Sequence, residues 1–216
     1  MGKTTNWLDL LYKGLLEACG IADIPNRIIL IGAHGTGKTT LANALAKELN
    51  AKVVESVARE FFKDWKCIED AGLLDPRMPA TVTAKIKQHI LCSQSRWDFM
   101  RWVDVEEPII MTRCPLDTIA YGIADQTINA EASMDDLDVL VNDEKFCKAI
   151  KESLFVYLPI EFGIENDGVR PVDIQYQKDV DGCMRGLMHT FGIVPLVVSG
   201  TVEERVQKIL EHLAGK

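Results

Sequence analysis

Short runs of branched apolar residues alternate along the chain with longer segments in which apolar residues recur at helical spacing. The first run, residues 28–31, is short, apolar and β-branched, which is typical of a strand buried on both faces. Each run is bounded by proline, glycine or charged residues. The predicted strands are residues 27–31, 52–55, 108–112, 154–158 and 194–199. This alternation predicts an α/β fold with a five-stranded parallel sheet covered by helices on both faces.

Helical periodicity predicts one amphipathic helix before the first strand, at residues 4–19, and seven helices after it. The seven are residues 39–49, 56–65, 83–103, 116–128, 137–152, 174–190 and 202–213. Residues 69–79 and 160–172 lack periodicity and are predicted as mobile loops that cover substrate, with passive surface connections as the alternative. We therefore predict a helical appendage at residues 1–25 and one domain at residues 26–216, with a lid near residues 160–172.

Between the first strand and the next helix, residues 32–39 read GAHGTGKT and match the pattern GxxxxGK[ST]. Glycines at such a turn let successive backbone N–H groups surround phosphate oxygens, and the helix directs its positive dipole end at the same charge. We expect Lys38 to reach the terminal phosphates and the Thr39 hydroxyl to bind Mg²⁺. The predicted nucleotide-binding residues here are Gly32, Gly35, Thr36, Gly37, Lys38, Thr39 and Thr40.

The composition of the chain disfavours some classes of binding partner. The 216 residues carry a formal net charge of -8, which disfavours broad binding to nucleic acid or to an anionic membrane, although a local basic pocket remains compatible with it. No apolar run approaches the roughly 20 residues that span a bilayer. The six cysteines form no CxxC pair, so we interpret them as reduced thiols of a cytoplasmic protein. The oligomeric state stays open.

Two charged residues follow strands at the edge where the phosphate loop is predicted. Glu55 closes the second strand, and a carboxylate there suits a catalytic base that accepts a proton from an attacking hydroxyl. The alternative role for Glu55 is that of a helix N-terminal carboxylate that favours the dipole. Arg113 follows the third strand, and its planar guanidinium complements phosphoryl oxygens.

On the predicted long helix, Gln94, Trp97 and Arg101 stand at i, i+3 and i+7, on one face. Together they offer an amide, an aromatic plate and a cation to a bound base or phosphate. A partly buried structural stripe is an equally credible interpretation. We predict them as substrate-binding residues.

Besides the phosphate-binding pattern, five segments resemble the P-loop nucleoside kinases and their relatives with a ribosylnicotinamide-kinase-like AAA-type domain. ESVARE at residues 55–60 is similar to the ExxxR segment that carries the general base, and QSRWDFMR at residues 94–101 has a similar spacing of Gln and Arg. TRCPLDTIAYG at residues 112–122 resembles the DRxPLDxxAY stretch. DGVRP at residues 167–171 and SGTVEERV at residues 199–206 resemble the lid and the last strand–helix unit.

The resemblance implies a nucleoside-kinase-like P-loop NTPase fold of three layers, with Lys38 and Thr39 on ATP and Mg²⁺. It further implies Glu55 as the base, Arg113 and Arg170 on the transferring phosphate, and Arg59 among the substrate contacts. Ser199 and Thr201 are expected near adenine.

The chain departs from the family at one position before the strand-end arginine. Thr112 stands where the family has an acidic residue, so a carboxylate that would help Mg²⁺ or the acceptor hydroxyl is missing. Asp117 substitutes for it only if the following turn folds back. The lid offers a single arginine, Arg170, where nucleoside kinases commonly carry more.

The sequence thus predicts ATP- and Mg²⁺-dependent phosphoryl transfer to a hydroxyl of a nucleoside, nucleotide or similar small metabolite. One alternative keeps the chemistry and changes the acceptor to a hydroxymethylated base in bacteriophage DNA, which the net charge disfavours. A second alternative is a nucleotide-binding switch that hydrolyses ATP slowly, and Thr112 is the feature in its favour.

Overall fold

A computed structural model describes residues 25–125, 128–161, 163 and 173–215. Its centre is a five-stranded, all-parallel sheet with the strand order β2-β3-β1-β4-β5. The strands are β1 (Arg27–Ile31), β2 (Lys52–Val54), β3 (Ile109–Met111), β4 (Leu154–Tyr157) and β5 (Leu196–Val197). All five predicted strands are confirmed, and four of them are shorter than predicted.

Within the described residues, seven helices lie between strands and an eighth follows the last strand. They are α1 (Lys38–Leu49), α2 (Ala58–Asp70), α3 (Ala80–Arg101), α4 (Pro115–Ala124), α5 (Ile128–Val141), α6 (Glu144–Lys151), α7 (Ile174–Thr190) and α8 (Val202–Leu213). None of these is both long and apolar enough to span a bilayer. The predicted helix at residues 4–19 lies outside the described residues.

The central strand β1 separates two apolar cores because its side chains alternate between the faces of the sheet. Ile28 and Leu30 pack with α1 and α8, while Ile29 and Ile31 pack on the opposite face with α3, α4, α6 and α7. All five residues of β1 are buried, as the apolar run predicts. The sheet therefore forms the middle of three layers, which confirms the predicted α/β architecture.

Three helix predictions are wrong in their bounds, and one of them, the helix predicted at residues 83–103, spans Ala80–Arg101. The helix predicted at residues 56–65 continues to Asp70, because Trp65 Nε1 donates to Glu69 Oε1 and Lys66 pairs with Asp70 along the extra turn. Residues 71–79, rather than 69–79, therefore form the connection to α3. The helix predicted at residues 116–128 ends at Ala124.

The single helix predicted at residues 137–152 is two helices, α5 and α6, and α5 already begins at Ile128. The helical conformation is interrupted at Asn142 and Asp143. There the Asp143 side chain accepts a hydrogen bond from the Phe146 N–H and caps α6. Aspartate favours this position because its carboxylate binds amides that a helix start leaves unpaired. Apolar spacing continues across the break, so periodicity alone did not reveal it.

Candidate active site

The turn between β1 and α1 depends on three glycines with left-handed backbone angles. Their φ angles are 151° at Gly32, 76° at Gly35 and 86° at Gly37, and residues with a side chain rarely adopt such angles. Gly32 has no room for a side chain, because a Cβ there would lie 2.5 Å from the Leu158 carbonyl oxygen. The turn therefore holds its main chain against the end of β4.

Lys38 begins α1 and folds back over this turn. Its side chain is 7% exposed, and Nζ donates to the carbonyl oxygens of Gly32 and Ala33, each at 2.6 Å. The Thr36 hydroxyl donates to the same Ala33 carbonyl at 2.9 Å. Thr39 and Thr40, the next residues of α1, are exposed at its first turn. The predicted phosphate-binding residues thus lie together in the β1–α1 turn and in the first turn of α1.

Arg113 leaves the adjacent strand β3 at the same end of the sheet. Its guanidinium lies 4.8 Å from the centre of the Tyr121 ring, and Nη2 lies within 3.4 Å of the Tyr121 hydroxyl. That hydroxyl is also 3.3 Å from Nδ1 of His34 in the turn. Arg113 is therefore connected through Tyr121 to the β1–α1 turn, on the side of the sheet that α4 covers.

The segment after Arg113 folds back and buries Asp117 completely. Asp117 Oδ2 accepts a hydrogen bond from the Cys114 N–H at 2.8 Å, whereas Oδ1 has no hydrogen-bond partner among the described residues. Burial raises the pKa of this carboxyl, and the nearby charges of Arg113 and Lys38 oppose that rise. An acidic side chain therefore lies close enough to two cations of the site to interact with both charges, although Thr112 is not acidic.

Glu55 lies directly after β2 at the same edge of the sheet and is exposed. Strand β3 separates β2 from β1, so Glu55 and the glycine turn are two strand spacings apart, about 10 Å. Beside Glu55 is a cavity of about 300 Å³ at the outer edge of β2. Its lining includes Ser56, Glu60, Asp98 and Trp102.

The predicted substrate contacts on the long helix lie on its outer face. Trp97 is 66% exposed, its ring lies 4.8 Å from the Arg101 guanidinium, and Arg101 Nη1 is 3.7 Å from Asp98. Gln94 is exposed on the same helix. The cavity beside Glu55 is lined instead by Asp98 and Trp102 of this region, so the acceptor role of Gln94, Trp97 and Arg101 stays a prediction.

Of the two remaining predicted arginines, Arg59 and Arg170, one lies among the described residues. Arg59 lies in the first turn of α2, just after Glu55. Arg170, with nearly all of the predicted lid, lies outside the described residues. The proposed roles of both stay predictions.

Ser199 and Thr201 lie in the loop between β5 and α8. Thr201 caps α8, since its hydroxyl accepts from the Glu204 N–H and its own N–H donates to Glu204. The Gly200 N–H donates to Glu161 Oε2 at 3.0 Å. The loop is thereby fixed to the segment that follows β4.

Three residues near the turn escaped the sequence prediction. Arg205 Nη1 donates to the Thr36 carbonyl, Gln177 Nε2 donates to the His34 carbonyl, and Glu161 pairs with Arg205. A signal existed for Arg205, because it shares one helical face with Val202, Val206 and Ile209. A charged residue in an apolar helical stripe indicates a buried polar partner.

The chain matches one family model and one curated relative. The model of the AAA domain matches residues 27–205. A proteasome-activating nucleotidase from Methanothermobacter thermautotrophicus is 43% identical over 63 residues, which are 29% of this chain and 15% of that protein. The match thus covers a small part of that relative's length.

Solved structures match the fold over most of the chain. A deoxyadenosine kinase from M. mycoides with the products dCMP and dCDP is 14% identical, with a TM-score of 0.61 over 88% of this chain and 100% of that chain. The same enzyme with bound dATP is 15% identical, with a TM-score of 0.61 over 87% and 98% of the two chains. A NadR protein in complex with NAD and AMP-PNP is 18% identical, with a TM-score of 0.54 over 88% and 50%. These likenesses show the fold.

Proposed function

Because the chain belongs to the AAA domain family and has a P-loop kinase-like fold, we propose that it transfers the terminal phosphoryl group of ATP to a hydroxyl group. The acceptor is a nucleoside, a nucleotide or a similar small metabolite. One observation carries the proposal: the glycine turn with Lys38 and the carboxylate of Glu55 occupy the same edge of the sheet, separated only by β3 and Arg113. Phosphoryl transfer requires this pairing of a phosphate cradle with a group that orients the acceptor.

The turn between β1 and α1 suits a polyphosphate. Left-handed angles at Gly35 and Gly37 are the backbone conformation that lets successive N–H groups face one anion, and α1 begins directly after them at Lys38. The Lys38 ammonium, already held beside the turn by two carbonyls, reaches the terminal phosphates. Ser199 and Thr201 take the adenosine end of the nucleotide.

Mg²⁺ is expected to bind through few protein atoms. The exposed Thr39 hydroxyl directly follows Lys38, and hydroxyl, phosphate and water oxygens satisfy the small hard cation. Within the described ranges, no cluster of three carboxylate, imidazole or thiol side chains competes with this arrangement. When bound, Mg²⁺ neutralises charge on the phosphate oxygens.

Glu55 acts as the base. Its exposed carboxylate accepts the proton of the acceptor hydroxyl as that oxygen attacks, and the cavity beside it holds the acceptor. Arg113 stabilises the charge on the transferring group, assisted by Arg170 from the lid. Arg59 and the outer face of α3 complete the acceptor contacts.

Asp117 has a positioning role in this scheme. Lys38 and Arg113 repel each other when both approach the same phosphate, and a buried carboxylate close to both reduces that repulsion. The backbone N–H of Cys114 fixes this carboxylate at 2.8 Å. Asp117 thus supplies the negative charge that Thr112 lacks.

A transfer screen tests the proposal. Labelled γ-phosphate of ATP is offered to a panel of nucleosides, nucleoside monophosphates and small hydroxylated metabolites in the presence of Mg²⁺. We expect a labelled product with the wild-type protein and transfer slowed by about 10³-fold in Lys38→Ala, because a preorganised charge on the phosphoryl group is removed.

The matched control is Lys47→Ala, which removes an exposed lysine from the last turn of the same helix and should transfer at the wild-type rate. Release of label only as inorganic phosphate, with no acceptor labelled across the panel, would contradict the assignment.

A further inference from the structure

The side chain of Arg205 connects two segments that the proposed function assigns to opposite ends of one nucleotide. Arg205 lies on α8 and is 2% exposed. Its Nη1 donates to the Thr36 carbonyl oxygen of the glycine turn at 2.8 Å, and its Nη2 donates to Glu161 Oε2 at 2.7 Å. The two bonds use different nitrogens of a planar group, so they fix the direction from the turn to Glu161.

Glu161 extends this connection to the loop between β5 and α8. The same Oε2 atom accepts the Gly200 N–H at 3.0 Å. The hydrogen bond from Gly200, with further contributions from Arg205 and Ser199, lowers the pKa of Glu161, so the carboxylate is ionised at neutral pH. A single chain of contacts therefore runs from Thr36 through Arg205 and Glu161 to Gly200.

The Arg205 side chain packs closely against the glycine turn. A Cβ at Gly37 would lie 3.4 Å from Arg205 Nη1, so the guanidinium lies directly against the main chain that is proposed to bind phosphate. This ion pair contributes little net stability, because the desolvation of the buried Arg205 offsets its attraction to the more exposed carboxylate of Glu161. Its main physical effect here is geometric, since it sets the separation between the Thr36 carbonyl and the Gly200 amide.

We propose that Glu161 and Arg205 are positioning residues that join the phosphate turn and the β5–α8 loop into one site for a nucleoside triphosphate. This inference rests on the proposed function, in which the turn holds the polyphosphate and the loop holds the adenosine end. Binding energy from the two ends of the ligand adds only if the two protein segments keep a fixed separation. The pair therefore determines how strongly the protein prefers ATP to a bare polyphosphate.

The test compares the affinity for ATP with the affinity for inorganic tripolyphosphate, both with Mg²⁺, by calorimetry. Glu161→Gln keeps the shape of the side chain and removes the charge that holds Arg205 and Gly200. Arg205→Lys keeps the positive charge and removes the planar two-nitrogen geometry. The control, Lys208→Gln, removes an exposed lysine from the same helix α8.

We expect each variant of the pair to lower the ratio of ATP affinity to tripolyphosphate affinity by about tenfold, a factor that corresponds to about 1.4 kcal/mol. Lys208→Gln should keep the wild-type ratio. In Glu161→Gln, the tripolyphosphate affinity itself should change little, because the glycine turn keeps its own geometry.

Thermal unfolding identifies the variants that fold, and either folded variant decides the outcome. If the affinities for ATP and tripolyphosphate fall by the same factor, or neither falls, the pair is only structural and the inference is wrong. Absence of any ATP binding by the wild-type protein would instead defeat the proposed function, so the two failures are distinct.

Discussion

The two ends of the candidate site are built differently. On the phosphate side, Lys38 and Arg205 are almost entirely buried and bonded to main-chain carbonyls, and Gly32 lies directly against the end of β4. On the acceptor side, Glu55 is exposed after the edge strand β2, and Trp97 is 66% exposed. The phosphate side is therefore rigidly formed before any ligand binds, whereas the acceptor side is open.

This contrast has a physical consequence for recognition. A preformed main-chain cradle loses little conformational entropy on binding, so it suits a ligand whose shape is constant, such as a triphosphate. Exposed side chains at the edge of a sheet are free to adopt new rotamers around different acceptors. The comparison thus predicts that substitutions on the phosphate side affect folding and binding together, and substitutions on the acceptor side affect chemistry alone.

The largest loss of unfolding free energy is expected for Gly32→Ala. Its added Cβ would lie 2.5 Å from the Leu158 carbonyl oxygen, at a φ of 151°. Main-chain atoms do not move aside as a flexible side chain does, so we expect a loss of about 3 kcal/mol in unfolding free energy. Denaturant unfolding measures it, and ATP binding should be lost as well.

Gly182→Ala is the matched control, because a Cβ there meets nothing within 4 Å and the residue lies inside α7. Alanine in a helix interior should raise stability by up to about 1 kcal/mol. Equal stability losses in the two variants would contradict the view of a rigid phosphate side.

Asp117→Asn should separate stability from activity. Burial raises the pKa of Asp117, so its favourable contribution to folding is complete below the ordinary value near 3.8 and is lost as pH rises through the higher folded value. At pH 7 the variant should therefore be as stable as the wild type or more stable, and this advantage should shrink toward pH 4.

Phosphoryl transfer by the same variant should slow by about tenfold, because Lys38 and Arg113 lose a nearby negative charge that interacts with both. Thermal unfolding across pH and the transfer assay together check both signs. A variant that is less stable at pH 7 and fully active would show that Asp117 only caps α4.

The smallest effect is expected far from both ends, at the break between α5 and α6. Asp143→Ala removes the cap of α6 and the partner of Arg96, and should cost about 1 kcal/mol without changing transfer. The pKa of Asp143 is lowered by Arg96 and by the capping amide, in spite of partial burial. Its contribution is therefore present above the ordinary pKa and is lost as pH falls through the lower folded value.

Chemical denaturation at pH 7 and near pH 3 checks this prediction, and Asp143→Asn provides the control because it retains a capping oxygen without the charge. A difference between wild type and Asp143→Ala that stays constant over this pH range would contradict the assigned role of the carboxylate.

The predictability of the molecule from its sequence follows the same division. The strands and the glycine turn depend on contiguous residues, so the separate apolar runs and the pattern ending at Thr39 sufficed to predict them. The break at Asp143 was missed because a capping side chain interrupts a helix without interrupting its apolar spacing.

The side chains around the turn depend on tertiary packing. Arg205 lies 169 positions from the carbonyl that it binds, and no local pattern encodes that distance. Asp117 is buried because the segment after Arg113 folds back. The sequence did not predict this fold-back and only indicated that Asp117 would depend on it. The acceptor side is the part of the site that the sequence predicts least. Helical spacing places Trp97 and Arg101 on one face of α3, but it does not identify what that face binds.

The central claim is that a polyphosphate held at the glycine turn faces a base that follows the edge strand β2, on the far side of β3, and Glu55→Gln tests it most directly. The measurement is kcat for transfer to the acceptor found in the screen, together with the dissociation constant for ATP. We predict that kcat falls by about 10²- to 10⁴-fold while ATP binds as tightly as to the wild type, because only the proton acceptor is removed. Undiminished transfer by Glu55→Gln would contradict the account.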